Sequence, residues 1–390
     1  MTRFAALVRA GLAAAIAFLA AHPVSAETIE KMAGQMILTG FQGDSVDDES
    51  VVALAEDIRN GLVGGVMYLK PNIKDFESVT AINRLFMSAN PDLPPFISVD
   101  QEGGAVQRLT PAVGFPDTPS AEEMVAEYGK SPSALSQDQL TTFLQDINEP
   151  VTFSGPLQVY ERMAQNLRKW GFNVNFGPVV DLNINKKNPI IAKYGRAYGD
   201  NAITVMAYAF AFIDAHHEFG ILTALKHFPG HGSSTGDTHE GFVDITNTWQ
   251  EAEFGTFRRV IDSARADFVM VGHLYNAQHS GPADGLPASL SRFWITEELR
   301  GKLKYDGVVI TDDLEMAAVR KLLPIGERVR QAVRAGVDVL LFSNTAKPRA
   351  TLAAEVQAIL VDEAKRDPAF AALIKQSYER IVEVKKRMHH

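Results

Sequence analysis

A single (β/α)8 barrel of the TIM type, an α/β fold, is the class this sequence predicts. Three observations point to it: eight short apolar or β-branched runs, helix-spaced segments between them, and polar residues gathered just past the ends of the runs. The runs are Met36 to Leu38, Gly65 to Tyr68, Phe96 to Val99, Phe172 to Phe176, Leu222 to Leu225, Phe268 to Val271, Val308 to Ile310 and Val339 to Phe342. They lack clean period-2 alternation, as strands buried on both faces of a parallel sheet should. Between them apolar residues return at helical spacing, as at Val79, Ile82, Leu85 and Phe86, or at Val205, Ala209, Phe212 and Ile213. An open doubly wound sheet also alternates strand and helix, but the count of eight favours closure. So does the polar pattern: Asp100 and Gln101 follow the third run, Lys226 and His227 the fifth, His273 the sixth, Asp312 the seventh, and Ser343 and Asn344 the eighth. A barrel makes those ends converge on one mouth, whereas an open sheet spreads them along an edge.

The remaining segments read as additions to that barrel. Thr110 to Lys169 is longer than an ordinary connection and includes a Ser/Asp/Gln-rich helical stretch, so it is an elaboration rather than a domain. Lys347 to His390 has amphipathic helical patterning and is expected to pack outside the barrel. His216 and His217, in the helix before the fifth run, read as surface residues. The chain has 390 residues, 46% hydrophobic and 22% charged, a globular composition that can supply one large core. Its net charge of −9, with no long Lys/Arg run, lacks the electrostatic footprint of a nucleic-acid binder.

Residues 1–26 differ from the rest. Arg3 and Arg9 precede an apolar stretch from Ala10 to Ala21, followed by Pro23, Val24, Ser25 and Ala26. This is the pattern of a secretory signal peptide cut after Ala26, leaving 27–390 as the mature chain, periplasmic or extracellular. The apolar stretch falls short of the roughly 20 residues a membrane span needs, so no stable anchor is expected after cleavage. Without cysteine there is neither a disulfide nor a thiol to carry a lipid.

The chemistry concentrates in three strings. Lys226-His227-Phe228-Pro229-Gly230-His231-Gly232 leads into a loop bearing Asp237 and His239, two apart. A carboxylate beside an imidazole fixes its tautomer and raises its basicity, preparing it to move a proton near neutral pH. Val308-Val309-Ile310-Thr311-Asp312-Asp313 puts an acid directly after a buried strand, where a barrel presents a nucleophile or a metal ligand. Chemistry is assigned to Asp312, and Asp313 is read as a structural residue capping the following helix. Asp100-Gln101-Glu102-Gly103-Gly104, with Arg108 beyond, offers an acceptor for vicinal sugar hydroxyls and two glycines that either let backbone approach a ligand or make a tight turn.

The strings DQEGGAVQRL, KYGRAYGD, KHFPGHG with its downstream DTH, PASLS and VVITDDLEM resemble glycoside hydrolase family 3, most of all its bacterial β-N-acetylglucosaminidases. They span about Gln35 to Asn344. The resemblance implies that one barrel suffices, with no second α/β domain and no cofactor. It implies Asp312 as nucleophile, His239 as general acid/base and Asp237 as its partner. Asp100, Arg108, Arg196, Lys226 and His227 are then expected to hold a sugar in the −1 subsite. Two positions depart from the family pattern: Ala105 stands where arginine is usual, and Tyr198 where phenylalanine is common.

The expected reaction is hydrolysis of terminal β-linked N-acetylglucosamine, from peptidoglycan fragments or chitooligosaccharides, through a covalent glycosyl-aspartate with retention. The acetamido preference rests on the resemblance alone, so a β-glucosidase of the same family is the near alternative. The residues taken alone also permit a metal-dependent barrel hydrolase using His227, His231, Asp237 and His239, although Pro229 and Gly230 keep the two histidines off one helical face. A degenerate sugar-binding barrel is a third class, but it would have no need of Asp312, Asp237 and His239 together. For His273 a pocket residue and a polar strand end are equal readings, as are a residue that helps structure the pocket and a loop cap for Asp181.

Overall fold

The computed structural model describes residues 27–129, 154–279, 285–345 and 347–389. Eight strands run parallel: β1 (Ile37–Gly40), β2 (Gly65–Tyr68), β3 (Phe96–Val99), β4 (Val174–Asn175), β5 (Leu222–Phe228), β6 (Phe268–Val271), β7 (Val308–Thr311) and β8 (Leu340–Phe342). Each pairs with its neighbour in sequence, and β8 pairs with β1. Between β7 and β8 the contact narrows to a single bridge, Ile310 to Val339, with the Thr311 N–H donating to the Val339 carbonyl at 3.0 Å. The ring is thereby nearly closed, and the predicted barrel is the observed fold. The eight runs fall on the eight strands because a strand covered on both faces must be apolar at nearly every position.

Helices alternate with the strands, and their apolar stripes face inward. In the helix Phe76–Ala89, Val79, Ile82 and Phe86 are buried, and in Ala202–Glu218 so are Val205, Ala209, Phe212 and Ile213. The described part of the Thr110 to Lys169 segment holds the helix Ala121–Tyr128 and the first sixteen residues of the helix Ser154–Trp170 that leads to β4; its Ser/Asp/Gln-rich stretch lies outside the described residues, as does the signal segment. No helix among the described residues is long and apolar enough to cross a membrane.

The tail forms two helices, Leu352–Arg366 and Pro368–Lys386, packed outside the barrel against each other and the first helix, Ile29–Gln35. One residue reaches further in. Lys385 is buried, donates to Gln35 Oε1 (2.8 Å) and the Gly64 carbonyl (2.9 Å), and sits 4.7 Å above the Phe96 ring. Phe96 in turn meets Phe268 edge-on at 5.2 Å, between the first residues of β3 and β6. This apolar floor fills the N-terminal end of the barrel, leaving the other end for a cavity.

The reading of His216 as a surface residue is overturned. Its ring is fully buried and stacked on Phe212, with Nδ1 donating to the Phe212 carbonyl (2.7 Å) and Nε2 accepting from Asn175 Nδ2 (3.0 Å). Burial pushes its pKa down to about 3, so the ring is neutral. Asn175 exchanges two hydrogen bonds with the main chain of Gln101, whose side-chain oxygen accepts the N–H groups of Arg108 and Leu109. A buried polar chain therefore runs from the helix before β5 to the loop after β3. His217 is partly exposed and bonded to Asp267 at 2.6 Å.

Candidate active site

A cavity of about 450 Å³ opens at the C-terminal end of the barrel. All eight residues singled out from the sequence line it: Asp100, Arg108, Arg196, Lys226, His227, Asp237, His239 and Asp312. They come from the ends of β3, β5 and β7 and from the loops after β3, β4 and β5, so strand closure brings them to one end of the barrel.

β5 supplies two consecutive residues because it does not end where its apolar run does. It continues through Phe228, and its pairing with β6 slips between Leu225 and Phe228, so that one extra residue enters the strand. Such a bulge interrupts the in–out alternation and lets Lys226 and His227 both reach the cavity. The sequence reading put them after the strand; they lie within it.

The base of the cavity is a buried ion network. Lys226 Nζ lies 2.8 Å from Asp100 Oδ1 and 2.6 Å from Glu102 Oε1. Arg196 grips Glu102 in bidentate fashion, with Nε and Nη2 each 2.8 Å from an oxygen, and Arg108 Nη2 reaches Asp100 Oδ2 at 3.1 Å. Burial alone would raise both carboxyls, but the facing cations outweigh it: Asp100 is held far below the usual aspartate range and Glu102 falls to about 2. Both are anions, and each leaves directional acceptors beside fixed donors, a combination suited to a polyhydroxylated ligand. Glu102 had drawn no role from the sequence, where it was one more acid in a polar string. Gly103 and Gly104 make a tight turn: both have positive φ, and a Cβ at Gly103 would come within 2.2 Å of the Pro119 carbonyl oxygen. The glycines serve the hairpin fold rather than ligand approach.

Behind this layer, Asp181 resolves in favour of the pocket. Fully buried after β4, it accepts the His227 ring Nδ1–H at 2.7 Å, the His227 main-chain N–H at 3.2 Å, and the His231 main-chain N–H at 2.7 Å. His227 therefore keeps its proton on Nδ1, and its Nε2 faces Arg196 Nη2 at 3.4 Å. His231 bonds Ser234 Oγ at 2.7 Å, and burial, with the neighbouring His227, pushes its pKa down to about 4. The four residues of the metal reading thus pair locally instead of converging. Among the described residues no group of three or more His, Cys, Asp or Glu is arranged to hold a metal ion.

Asp312, at the end of β7, accepts the Asp313 main-chain N–H at 2.8 Å. Burial raises its carboxyl, but His227, His273 and His239 together hold it below the ordinary aspartate value, so it is ionised. Asp313 also lines the cavity, yet its Oδ1 accepts the N–H groups of Glu315 (3.0 Å) and Ser343 (2.9 Å), tying the β7 end to the β8 end. Its role is structural, as expected, but as a cross-strand tie: the next helix starts only at Ala317. His273 is buried outside the cavity, donating from Nε2 to the Asp313 carbonyl at 2.8 Å and accepting from Ser289 Oγ at 2.7 Å. It supports the turn that carries Asp312.

Across the cavity, the loop after β5 carries the Asp237–His239 pair. Asp237 Oδ1 lies 2.7 Å from His239 Nδ1 and 2.9 Å from its main-chain nitrogen. His239 is 60% exposed, whereas Asp237 is largely covered. The loop is tied to the segment following Asp312: the Ala318 N–H donates to the Thr238 carbonyl (3.1 Å), and Lys321 Nζ to the Glu240 carbonyl (3.0 Å). An ionised carboxylate and an aspartate-held imidazole thus share one sugar-sized cavity.

Residues 28–384 match the model of the glycosyl hydrolase family 3 N-terminal domain. The β-hexosaminidase of Stenotrophomonas maltophilia is 32% identical over 310 residues, covering 78% of this chain and 82% of that protein. That of Tolumonas auensis is 30% identical over 311 residues, covering 79% and 82%. Among solved structures, a glycoside hydrolase family 3 β-N-acetylglucosaminidase from Paenibacillus sp. superposes with a TM-score of 0.77 at 30% identity, covering 93% of this chain and 63% of that one. The β-N-acetylhexosaminidase of Beutenbergia cavernae superposes with a TM-score of 0.74 at 28% identity, covering 92% and 99%. The chain thus spans under two thirds of the Paenibacillus protein and nearly all of the Beutenbergia one.

Proposed function

This chain belongs to glycosyl hydrolase family 3, and from that membership we propose that it is a retaining exo-β-N-acetylglucosaminidase. The observation that carries the reading is one cavity lined by both Asp312 and the Asp237–His239 pair. The Asp312 carboxylate attacks the anomeric carbon as His239 gives its Nε2 proton to the departing oxygen, producing a glycosyl-aspartate. His239, now neutral, takes a proton from water, whose oxygen attacks the same carbon and releases Asp312. Two inversions leave the configuration retained. Asp237 accepts the Nδ1–H throughout and stabilises the imidazolium. Asp100, Arg108, Arg196, Lys226 and His227 hold the sugar in the −1 subsite; the pairs of Arg108 and Lys226 with Asp100, of Arg196 with Glu102 and of His227 with Asp181 orient them before substrate arrives.

The acetamido preference is supported by the names of the relatives, and terminal N-acetylglucosamine of peptidoglycan fragments or chitooligosaccharides is the corresponding substrate. Rates on an aryl β-N-acetylglucosaminide and an aryl β-glucoside test it directly; a faster glucoside would replace the reading with a β-glucosidase. Export with cleavage after Ala26 is part of the proposal, supported by the basic, apolar and small-residue order of residues 1–26. Sequencing the secreted protein is expected to begin at Glu27, and an intact N-terminus would reject it.

A further inference from the structure

The hydrogen bonds between Asp237 and His239 fix the imidazole within its own loop, but they do not fix that loop against Asp312. Its placement must come from contacts with the rest of the barrel. From Thr235 to Phe242 a single residue is buried, Thr238, although His239 beside it is 60% exposed. The Thr238 carbonyl accepts the Ala318 N–H at 3.1 Å, from the segment after Asp312, and its Oγ1 lies 3.5 Å from His231 Nε2. His231 is held from three sides: its N–H donates to Asp181 Oδ1 (2.7 Å), its carbonyl accepts from Asn188 Nδ2 (2.8 Å), and its Nδ1 meets Ser234 Oγ (2.7 Å). Ser234 Oγ accepts from Asn188 Nδ2 at 3.0 Å and turns its own hydrogen to the Gly236 carbonyl at 3.3 Å, so Nδ1 is the donor in that contact. Burial, with the neighbouring His227, keeps the ring neutral, and Nε2 is left as an acceptor for the Thr238 hydroxyl.

The Thr238 side chain thus joins the tip of the loop to its root, while the carbonyl joins the same tip to the segment behind Asp312. A buried hydroxyl needs a partner, and His231 Nε2 is the one present. The root is in turn tied to the residues assigned to the sugar: the His231 ring stands edge-on to His227 at 5.8 Å, and Asp181 accepts hydrogen bonds from both residues. We propose that Thr238 is a positioning residue for the general acid/base, holding His239 in place opposite Asp312 through its hydroxyl contact with His231. It acts through His239 and not on the sugar. A displacement of about 1 Å between a catalytic group and its substrate can cost about 100-fold in rate, so losing one such contact has a measurable effect. This role rests on the acid/base reading of His239 and adds to it what places the loop.

The test uses the full chain and two substrates, a dinitrophenyl β-N-acetylglucosaminide, whose leaving group departs unaided, and a methoxyphenyl one, whose leaving group needs a proton. Thr238→Val keeps the shape and removes the hydroxyl. It is expected to lower kcat/KM on the methoxyphenyl glycoside about tenfold more than on the dinitrophenyl one. Thr238→Ser, which keeps the hydroxyl, should stay within about twofold of the unmodified protein on both. Azide, which attacks the glycosyl-enzyme without a base, should raise kcat of Thr238→Val on the dinitrophenyl glycoside and give the azide of retained configuration. His231→Leu should show the same dependence on leaving group, and combined with Thr238→Val should cost no more than the larger single loss, since both remove one contact. An equal loss on the two substrates, no loss at all, or a serine variant as impaired as the valine one overturns the role of Thr238. With His239→Ala strongly dependent on the leaving group, such a result leaves the reaction standing. A His239→Ala variant indifferent to the leaving group overturns the acid/base reading itself, and the positioning role with it.

Discussion

His239 and Asp237 are joined by a hydrogen bond of 2.7 Å between Nδ1 and Oδ1, and the same oxygen accepts the His239 main-chain N–H. Both contacts close within two residues, so the imidazole is oriented by its own loop, and in the proposed mechanism Nε2 is the nitrogen that exchanges protons. Replacing His239 by alanine should therefore cost little on a leaving group that departs as a stable anion and about 100-fold or more on a poor one. Asp237→Asn, which cannot stabilise the imidazolium, should show the same pattern more weakly. Rates across a series of aryl N-acetylglucosaminides of graded leaving-group pKa measure this, and a flat series for His239→Ala would remove its role as acid.

Asp312→Ala should abolish turnover, because no other carboxylate follows β7 facing the sugar: Asp313 is held by the Glu315 and Ser343 main chain. Azide is expected to restore activity with inversion, since the small anion attacks from the vacated side. Rescue with retained configuration would point to a different nucleophile.

Glu102 holds two buried cations at once, Arg196 through both oxygens and Lys226 at 2.6 Å. Glu102→Gln leaves Arg196 without its carboxylate and Lys226 with Asp100 alone, a loss of roughly 3–5 kcal/mol for breaking a buried pair from one side. Thermal melts should show the destabilisation, and N-acetylglucosamine affinity by calorimetry should fall as Arg196 and Lys226 lose their positions. A variant of unchanged stability and affinity would mean that the network contributes neither.

The barrel was legible because its determinants are local: a strand covered on both faces must be apolar throughout, and Val308-Val309-Ile310 or Phe268-Val269-Met270-Val271 fit little else. Asp312 was legible for a related reason, since an acid ending such a run lies at the mouth. Residues whose roles depend on distant partners were not. Lys226 and His227 read as following their strand because a bulge is set by pairing with β6, not by their own types. His216 read as surface because imidazole is polar; the Phe212 carbonyl satisfies one ring nitrogen locally, but the other needs Asn175, brought in by β4, before burial is tolerable. Glu102 differs from an exposed acid only through two residues remote in sequence, Arg196, 94 positions away, and Lys226.

Glu253 is buried beneath the loop after β5, where its Oε2 accepts the Ser233 N–H at 3.1 Å and its Oε1 the Gln250 N–H at 3.4 Å. Desolvation, with the Asp181 charge adding to it, raises its pKa to about 7. The folded state thus binds this proton more tightly than the unfolded chain, so stability is greatest below the unfolded value and declines as pH rises towards 7, by about 3 kcal/mol in all. Glu253→Gln should lack this decline and gain on the unmodified protein between pH 5 and 8. Urea melts at four pH values measure it, and parallel curves would exclude Glu253 as the source.

Tyr198 stands where the family pattern favours phenylalanine, and its hydroxyl has a dedicated partner: Tyr160 Oη at 2.8 Å, in a site closed to solvent, while its ring stacks on Tyr208 at 5.0 Å. A tyrosine is tolerated in so buried a position because the second hydroxyl satisfies the first. Tyr198→Phe keeps the stacking but strands the Tyr160 hydroxyl, at a cost of roughly 1–3 kcal/mol for an unsatisfied buried group. Removing both hydroxyls removes that penalty, so Tyr160→Phe with Tyr198→Phe should melt higher than Tyr198→Phe alone. A double variant no better than the single one would show that the pair contributes through packing and not through its hydrogen bond.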